Sequence, residues 1–98
     1  MQVLTMETIE ENIRFLLKKY NADYAILFGS YARGDASPAS DIDVVVFGGE
    51  KFRAVNILAF AEELYQLTQK SVDVFEIREI NRDSEFYDNV MKEGRRIA

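Results

Sequence analysis

Cysteine and histidine are both absent from the 98 residues of this chain. Without cysteine there is no disulfide and no thiolate metal site, which suits a reducing cytoplasm. Without either residue the usual nucleophilic triads cannot be assembled. A surplus of positive charge is missing too, since 12 Lys and Arg stand against 17 Asp and Glu for a formal net charge of −5. Gripping a nucleic acid backbone takes a basic stripe, so direct nucleic acid binding is not expected. No apolar run approaches the roughly 20 residues of a membrane-spanning helix. The opening MQVLTMETIEEN lacks the basic flank and apolar centre of an export signal. A cytoplasmic protein is the expectation.

No Pro/Gly/Ser-rich linker, charge block, internal repeat or low-complexity segment divides the chain, so residues 1–98 are expected to form one domain. What is present is ordinary material for a globule: 48% of the residues are hydrophobic and 30% charged, too apolar for a disordered segment.

Ile9, Ile13, Leu16, Leu17 and Tyr20 recur at helical spacing behind Thr8 and Glu11, which have the spacing of a capping box. YAILF (24–28) reads as a buried strand that stops at Gly29-Ser30, and DIDVVVF (41–47) as a second, closed by Gly48-Gly49. From Phe52 to Gln69 an apolar stripe of Ile57, Phe60, Ala61, Leu64 and Leu67 predicts a second amphipathic helix. SVDVFEI (71–77) predicts a third strand. Phe86, Val90 and Met91 predict a last helix over 83–93, with Gly94 placed to end it. Arg95-Arg96 and Lys18-Lys19 read as solvated charge.

The fold class is therefore α/β (α+β), a small mixed sheet of at least three strands with helices packed on it. A strand, helix, strand succession predicts that the second and third strands run parallel. The link between the first two strands is too short for a crossover helix and predicts an antiparallel pair. Together these place Gly29-Ser30, Asp41, Asp43 and Asp73 at one edge of the sheet.

Asp41 and Asp43, two apart on a strand, share a face, while Ile42, Val44 and Val46 take the other. With Asp73 near the same edge, mutual repulsion would raise the pKa values of these carboxylates unless cations held them ionised. Hard divalent ions with oxygen ligands, Mg²⁺ above all, meet that need. A pair of such ions about 3.5 to 4 Å apart suits in-line transfer at phosphorus. Glycoside hydrolysis needs two carboxylates and a sugar cleft, for which so small a chain offers little. Gly29 allows close approach of a phosphate, and a helical turn begun at SYARGD offers free N–H groups and the Ser30 hydroxyl. Arg33, one turn on, either faces the same phosphates or pairs with Asp35. Tyr31, Tyr65 and Tyr87 read as partly buried aromatics. Phe52, Ile80 and Phe86 are assigned to the core ahead of a partner surface.

FGSYARGDASPASDIDVVVF (28–47) resembles the signature of the polymerase-β-type nucleotidyltransferase superfamily, in its minimal nucleotidyltransferase (MNT) branch. The resemblance extends through SVDVFEI and the closing VMKEGRRIA. It implies that Asp41, Asp43 and Asp73 bind Mg²⁺, that Asp73 also helps deprotonate the acceptor hydroxyl, that Gly29 and Ser30 hold the β and γ phosphates of ATP, and that Arg33 lies near the triphosphate. It also implies a partner, because larger members carry further domains for their acceptors and MNT proteins pair with helical HEPN toxins. The expected function is Mg²⁺-dependent transfer of a nucleoside monophosphate, AMP from ATP, to a hydroxyl of that partner, as an antitoxin. The alternatives are a non-catalytic antitoxin that neutralises by binding, and an enzyme that tails a small molecule or RNA. The base and the oligomeric state are left open.

Overall fold

The computed structural model describes residues 3–98. The apolar stripe of α1 (Met6–Lys19) is buried through Ile9, Ile13, Leu16 and Leu17. Its cap differs from the expected Thr8/Glu11 box: the helix starts earlier, Thr5 is the N-cap, and the Thr5 hydroxyl accepts from the Thr8 N–H at 3.1 Å. Thr8 thus lies in the first turn and supplies the orphan donor rather than the cap.

After α1 the chain forms β1 (Tyr24–Phe28), the short α2 (Gly29–Arg33), β2 (Ile42–Phe47), α3 (Ile57–Thr68), β3 (Val72–Glu76), α4 (Glu85–Glu93) and β4 (Arg95–Ile97). The sheet runs in the order β3-β2-β1-β4. As expected, β1 and β2 are antiparallel, and β2 and β3 are parallel neighbours joined through α3. Strand register sets Phe28 opposite Asp43, and Asp43 opposite Asp73.

Alternation along the strands divides the core in two. On one face Leu27, Ile42, Val44 and Val46 pack with Ile9, Ile13 and Leu16 of α1 and Phe60 and Leu64 of α3. On the other, Ile26 and Val45 meet Ile77 and Val90, rimmed by the half-buried aromatics Tyr24, Phe28, Phe47 and Phe75. The carboxylates of Asp43 and Asp73 project from this second, more open face, since each takes the opposite parity to the neighbours packed under α3.

Several expectations need correction. The second helix is shorter than 52–69: Phe52 is buried ahead of it, a 3-10 turn spans Ala54–Asn56, and Gln69 leaves the helix at φ 58°. Leu67 is exposed, and Thr68 takes the buried position with its hydroxyl bonded to the Leu64 carbonyl at 2.7 Å. Four residues beyond Leu64, Thr68 continues the buried row that Leu67 leaves. The last helix begins at Glu85, with Ser84 as its cap. Phe86 and Met91 are exposed, because only a thin aromatic layer lies under α4. Gly94 does end α4, but with φ −73°; a Cβ there would strike Ile26 and the Val90 carbonyl, so close packing explains this glycine. Arg95 and Arg96 are exposed as expected, but the segment they belong to has a structure that was not expected. It forms β4, paired antiparallel to β1, with Ile97 buried beside the two arginines.

Candidate active site

The expected edge is assembled around the end of β1. Gly29 turns the chain into α2 at φ 76°, a conformation that favours glycine. A Cβ at that position would collide with the Asp43 carboxylate, so the glycine is what lets the turn sit directly on Asp43. Tyr31, buried rather than half-buried as expected, anchors α2 in the core. Gly34 then closes α2 at φ 83°, its N–H bonded to the carbonyls of Ser30 and Tyr31.

The loop from Asp35 to Asp41 is held by contacts that sequence reasoning missed. The buried Lys70 donates from Nζ to the Pro38 carbonyl at 2.8 Å. Ser40 Oγ accepts from the Ser37 N–H at 2.8 Å. The preference of lysine for solvent gives no sequence-level sign of such a role.

Asp41 lies just ahead of β2 and is exposed, Asp43 is half-buried, and Asp73 is exposed on the outer strand. Burial, the neighbouring Asp73 and then Asp41 push the Asp43 carboxyl up to about 6, with Arg33 opposing. Asp73 sits opposite Asp43 in the parallel register of β2 and β3. Arg33 stands at the mouth, with Nε 3.3 Å from Asp35 Oδ2 and Nη1 3.4 Å from Glu93 Oε2. The Asp35 pairing weighed from sequence is therefore present, joined by a second carboxylate from α4.

A pocket of about 400 Å³ is lined by Gly29, Ser30, Arg33, Asp41 and Asp43. Asp73 stands beside Asp43 but is not on this wall, and among the described residues no group of three His, Cys, Asp or Glu side chains is gathered as a metal cluster. The donors nonetheless suit a hard divalent ion: they are carboxylate oxygens, and Asp43 is half-buried beside two further carboxylates, Asp73 and Asp41. The opposite wall is one face of α4, made by Phe86, Asn89, Val90 and Glu93. Their i, i+3, i+4, i+7 spacing was legible in the sequence. That this face covers the pocket was not, because periodicity does not say where a helix docks.

A glycine turn is thus seated on a strand aspartate, with a second aspartate in register on the parallel neighbour. Residues 11–98 match the family described as Polymerase beta, Nucleotidyltransferase, and the chain belongs to that family. The family resemblance and the mixed-sheet fold expected from sequence are both borne out, and nucleotidyl transfer is the activity that membership carries. A relative in Methanocaldococcus jannaschii, named as a candidate protein adenylyltransferase, is 32% identical over 78 residues, 80% of this chain and 84% of its own. The solved structure of a candidate minimal nucleotidyltransferase matches with a TM-score of 0.78 at 25% identity, over 97% of this chain and 95% of that one. A chain from the complex of a tri-AMPylated Shewanella oneidensis HEPN toxin with its MNT antitoxin matches in fold, with a TM-score of 0.71 at 21% identity, over 94% of this chain and 71% of that one. Among the described residues, no helix is long and apolar enough to cross a membrane.

Proposed function

We propose that this chain transfers AMP from ATP to a hydroxyl of a HEPN-type partner protein, acting in the cytoplasm as the antitoxin of a toxin-antitoxin pair. The observation that carries this reading is the register match of Asp43 with Asp73 beside a turn that only glycine fits. The relatives support the choice of donor and acceptor, one being named for protein adenylylation and another having been solved with an AMPylated HEPN toxin.

Asp41, Asp43 and Asp73 would hold Mg²⁺, which when bound supplies the positive charge these carboxylates lack and polarises the phosphoryl oxygens. Gly29 and Ser30 receive the β and γ phosphates, and Arg33 exchanges its Asp35 and Glu93 pairs for phosphate oxygens. The acceptor oxygen forms a bond to the α phosphorus as the bond from that phosphorus to the β-phosphate bridging oxygen breaks. Pyrophosphate leaves, and the hydroxyl proton passes to Asp73, the exposed carboxylate on the acceptor side.

The test is incubation with α-labelled ATP, Mg²⁺ and the HEPN protein of the same genome. Label should appear on the HEPN protein and be lost with Asp43→Asn or Asp73→Asn. Transfer that persists in an Asp41/Asp43 double mutant would end the reading. One observation favours the rival, neutralisation by binding alone: the carboxylates stand pairwise rather than as a closed cluster among the described residues. Full protection of cells from the toxin by that double mutant, with no label transferred by the unaltered chain, would give the rival the lead.

A further inference from the structure

We propose that the outer edge of β3, with the groove between it and α3, binds an extended segment of the acceptor protein, outside its helices, as an added strand. This inference rests on the transfer reaction proposed above and identifies where its acceptor docks.

β3 is the last strand on its side of the sheet. The Ser71 carbonyl accepts from the Ile42 N–H at 2.9 Å, so the backbone groups of residue 71 face β2. Parallel pairing uses alternate residues of a strand, hence Asp73 and Phe75 also face β2, while Val72 and Val74 turn their N–H and C=O groups outward. The run ends at Glu76, whose N–H is taken by Glu79 Oε1 at 3.3 Å. Among the described residues, these two thus offer four unpaired backbone groups, with no lysine, proline or bulge between them to blunt the edge.

Beside this edge lies a groove of about 390 Å³, walled by Leu58, Ala61, Glu62 and Tyr65 of α3 and floored by Ser71 and Val72. Leu58 is 76% exposed and Tyr65 42%. A strand edge next to an apolar helix ledge is the arrangement that takes an extended peptide, with backbone bonds along the edge and alternate side chains in the groove. The site side follows from the same alternation. A side chain of the added strand that flanks Asp73 points to the face of Asp43 and the pocket, and neighbouring strands bring opposite Cβ atoms to about 5 Å. Its two neighbours point to the Leu58 and Tyr65 ledge. The edge therefore positions a hydroxyl-bearing residue beside Asp73 and clamps the residues on either side.

A second copy of this chain is the poorer occupant. Antiparallel β3 edges bonded through Val72 and Val74 would set Asp73 directly opposite Asp73, and like charges so placed repel.

The experiment uses the intact chain and the HEPN protein of the same genome. Leu58→Glu with Tyr65→Asp, both on the exposed face of α3, should leave AMP-PNP affinity unchanged and raise the KM for the HEPN protein about tenfold. Amide hydrogen exchange at Val72 and Val74 should slow in the complex. Unchanged KM in the double variant, or unprotected Val72 and Val74 amides in a formed complex, would overturn the proposal. Protection of those amides without any label transfer by the unaltered chain would instead retain the docking edge and remove the transfer reaction. Failure of the two proteins to associate would remove both.

Discussion

At Asp43, burial and neighbouring negative charge meet in one side chain. Its carboxyl is pushed up to about 6, first by burial and then by Asp73 and Asp41. A folded-state pKa above the unfolded value means that the native structure prefers the protonated form. In the absence of metal, the contribution to stability is full below about pH 4 and is lost as pH rises through about 6. Thermal melts in chelator across that window should show Tm falling with pH. Asp43→Asn should flatten the profile and raise Tm at neutral pH, while ending transfer. A flat profile in the unaltered protein would mean that Asp43 ionises there without penalty. The crowding of carboxylates around Asp43 was legible in the sequence, since DID opening an apolar strand asks for a counter-charge. The double pairing of Arg33 was legible only in half: Asp35 lies two residues away along the chain, whereas Glu93 is brought in by α4 from the far end.

At the scale of elements, helix faces were easier to read than helix ends. The apolar stripe of α1 is buried as its spacing predicts, yet the cap moved from Thr8 to Thr5. Thr and Ser recur near helix starts, and only the backbone shows which hydroxyl meets an orphan N–H. Thr5→Ala should cost about 1 kcal/mol in chemical denaturation, whereas Glu11→Ala should change stability by no more than about 0.5 kcal/mol. Equal losses would restore the Thr8/Glu11 box. β4 was not legible at all, because RRI is too short and too charged to carry a strand period. Its arginines are accommodated by partners: Arg96 lies 3.9 Å from the centre of the Tyr24 ring, and Arg95 Nε is 2.5 Å from Glu10 Oε1. Ile97, beside them, is buried in the α1 side of the core.

For the whole molecule, the acidic balance and the site combine into a linkage prediction. Ligands that bind only the native state raise Tm by mass action, by about 2.7 kcal/mol of stability at a hundredfold excess over Kd. Mg²⁺ with AMP-PNP should therefore raise Tm, and Asp43→Asn or Asp73→Asn should remove most of the rise. The Leu58/Tyr65 variant should keep it. An undiminished shift in both aspartate variants would place the nucleotide elsewhere. By itself the sequence determined the order of the first three strands and of the long helices, the antiparallel pairing of β1 with β2 and the parallel pairing of β2 with β3, and the approach of Gly29-Ser30 to Asp41 and Asp43. These follow from periodicity, connection length and handedness, which are local properties or nearly so. Tertiary structure alone decided that α4 walls the pocket, that Lys70 pins the loop before Asp41, that β4 covers the far side of β1 and that β3 is left as an edge. Each of those depends on contacts between residues far apart in the chain, and such contacts are selected by the packing of the whole rather than by any segment's own pattern.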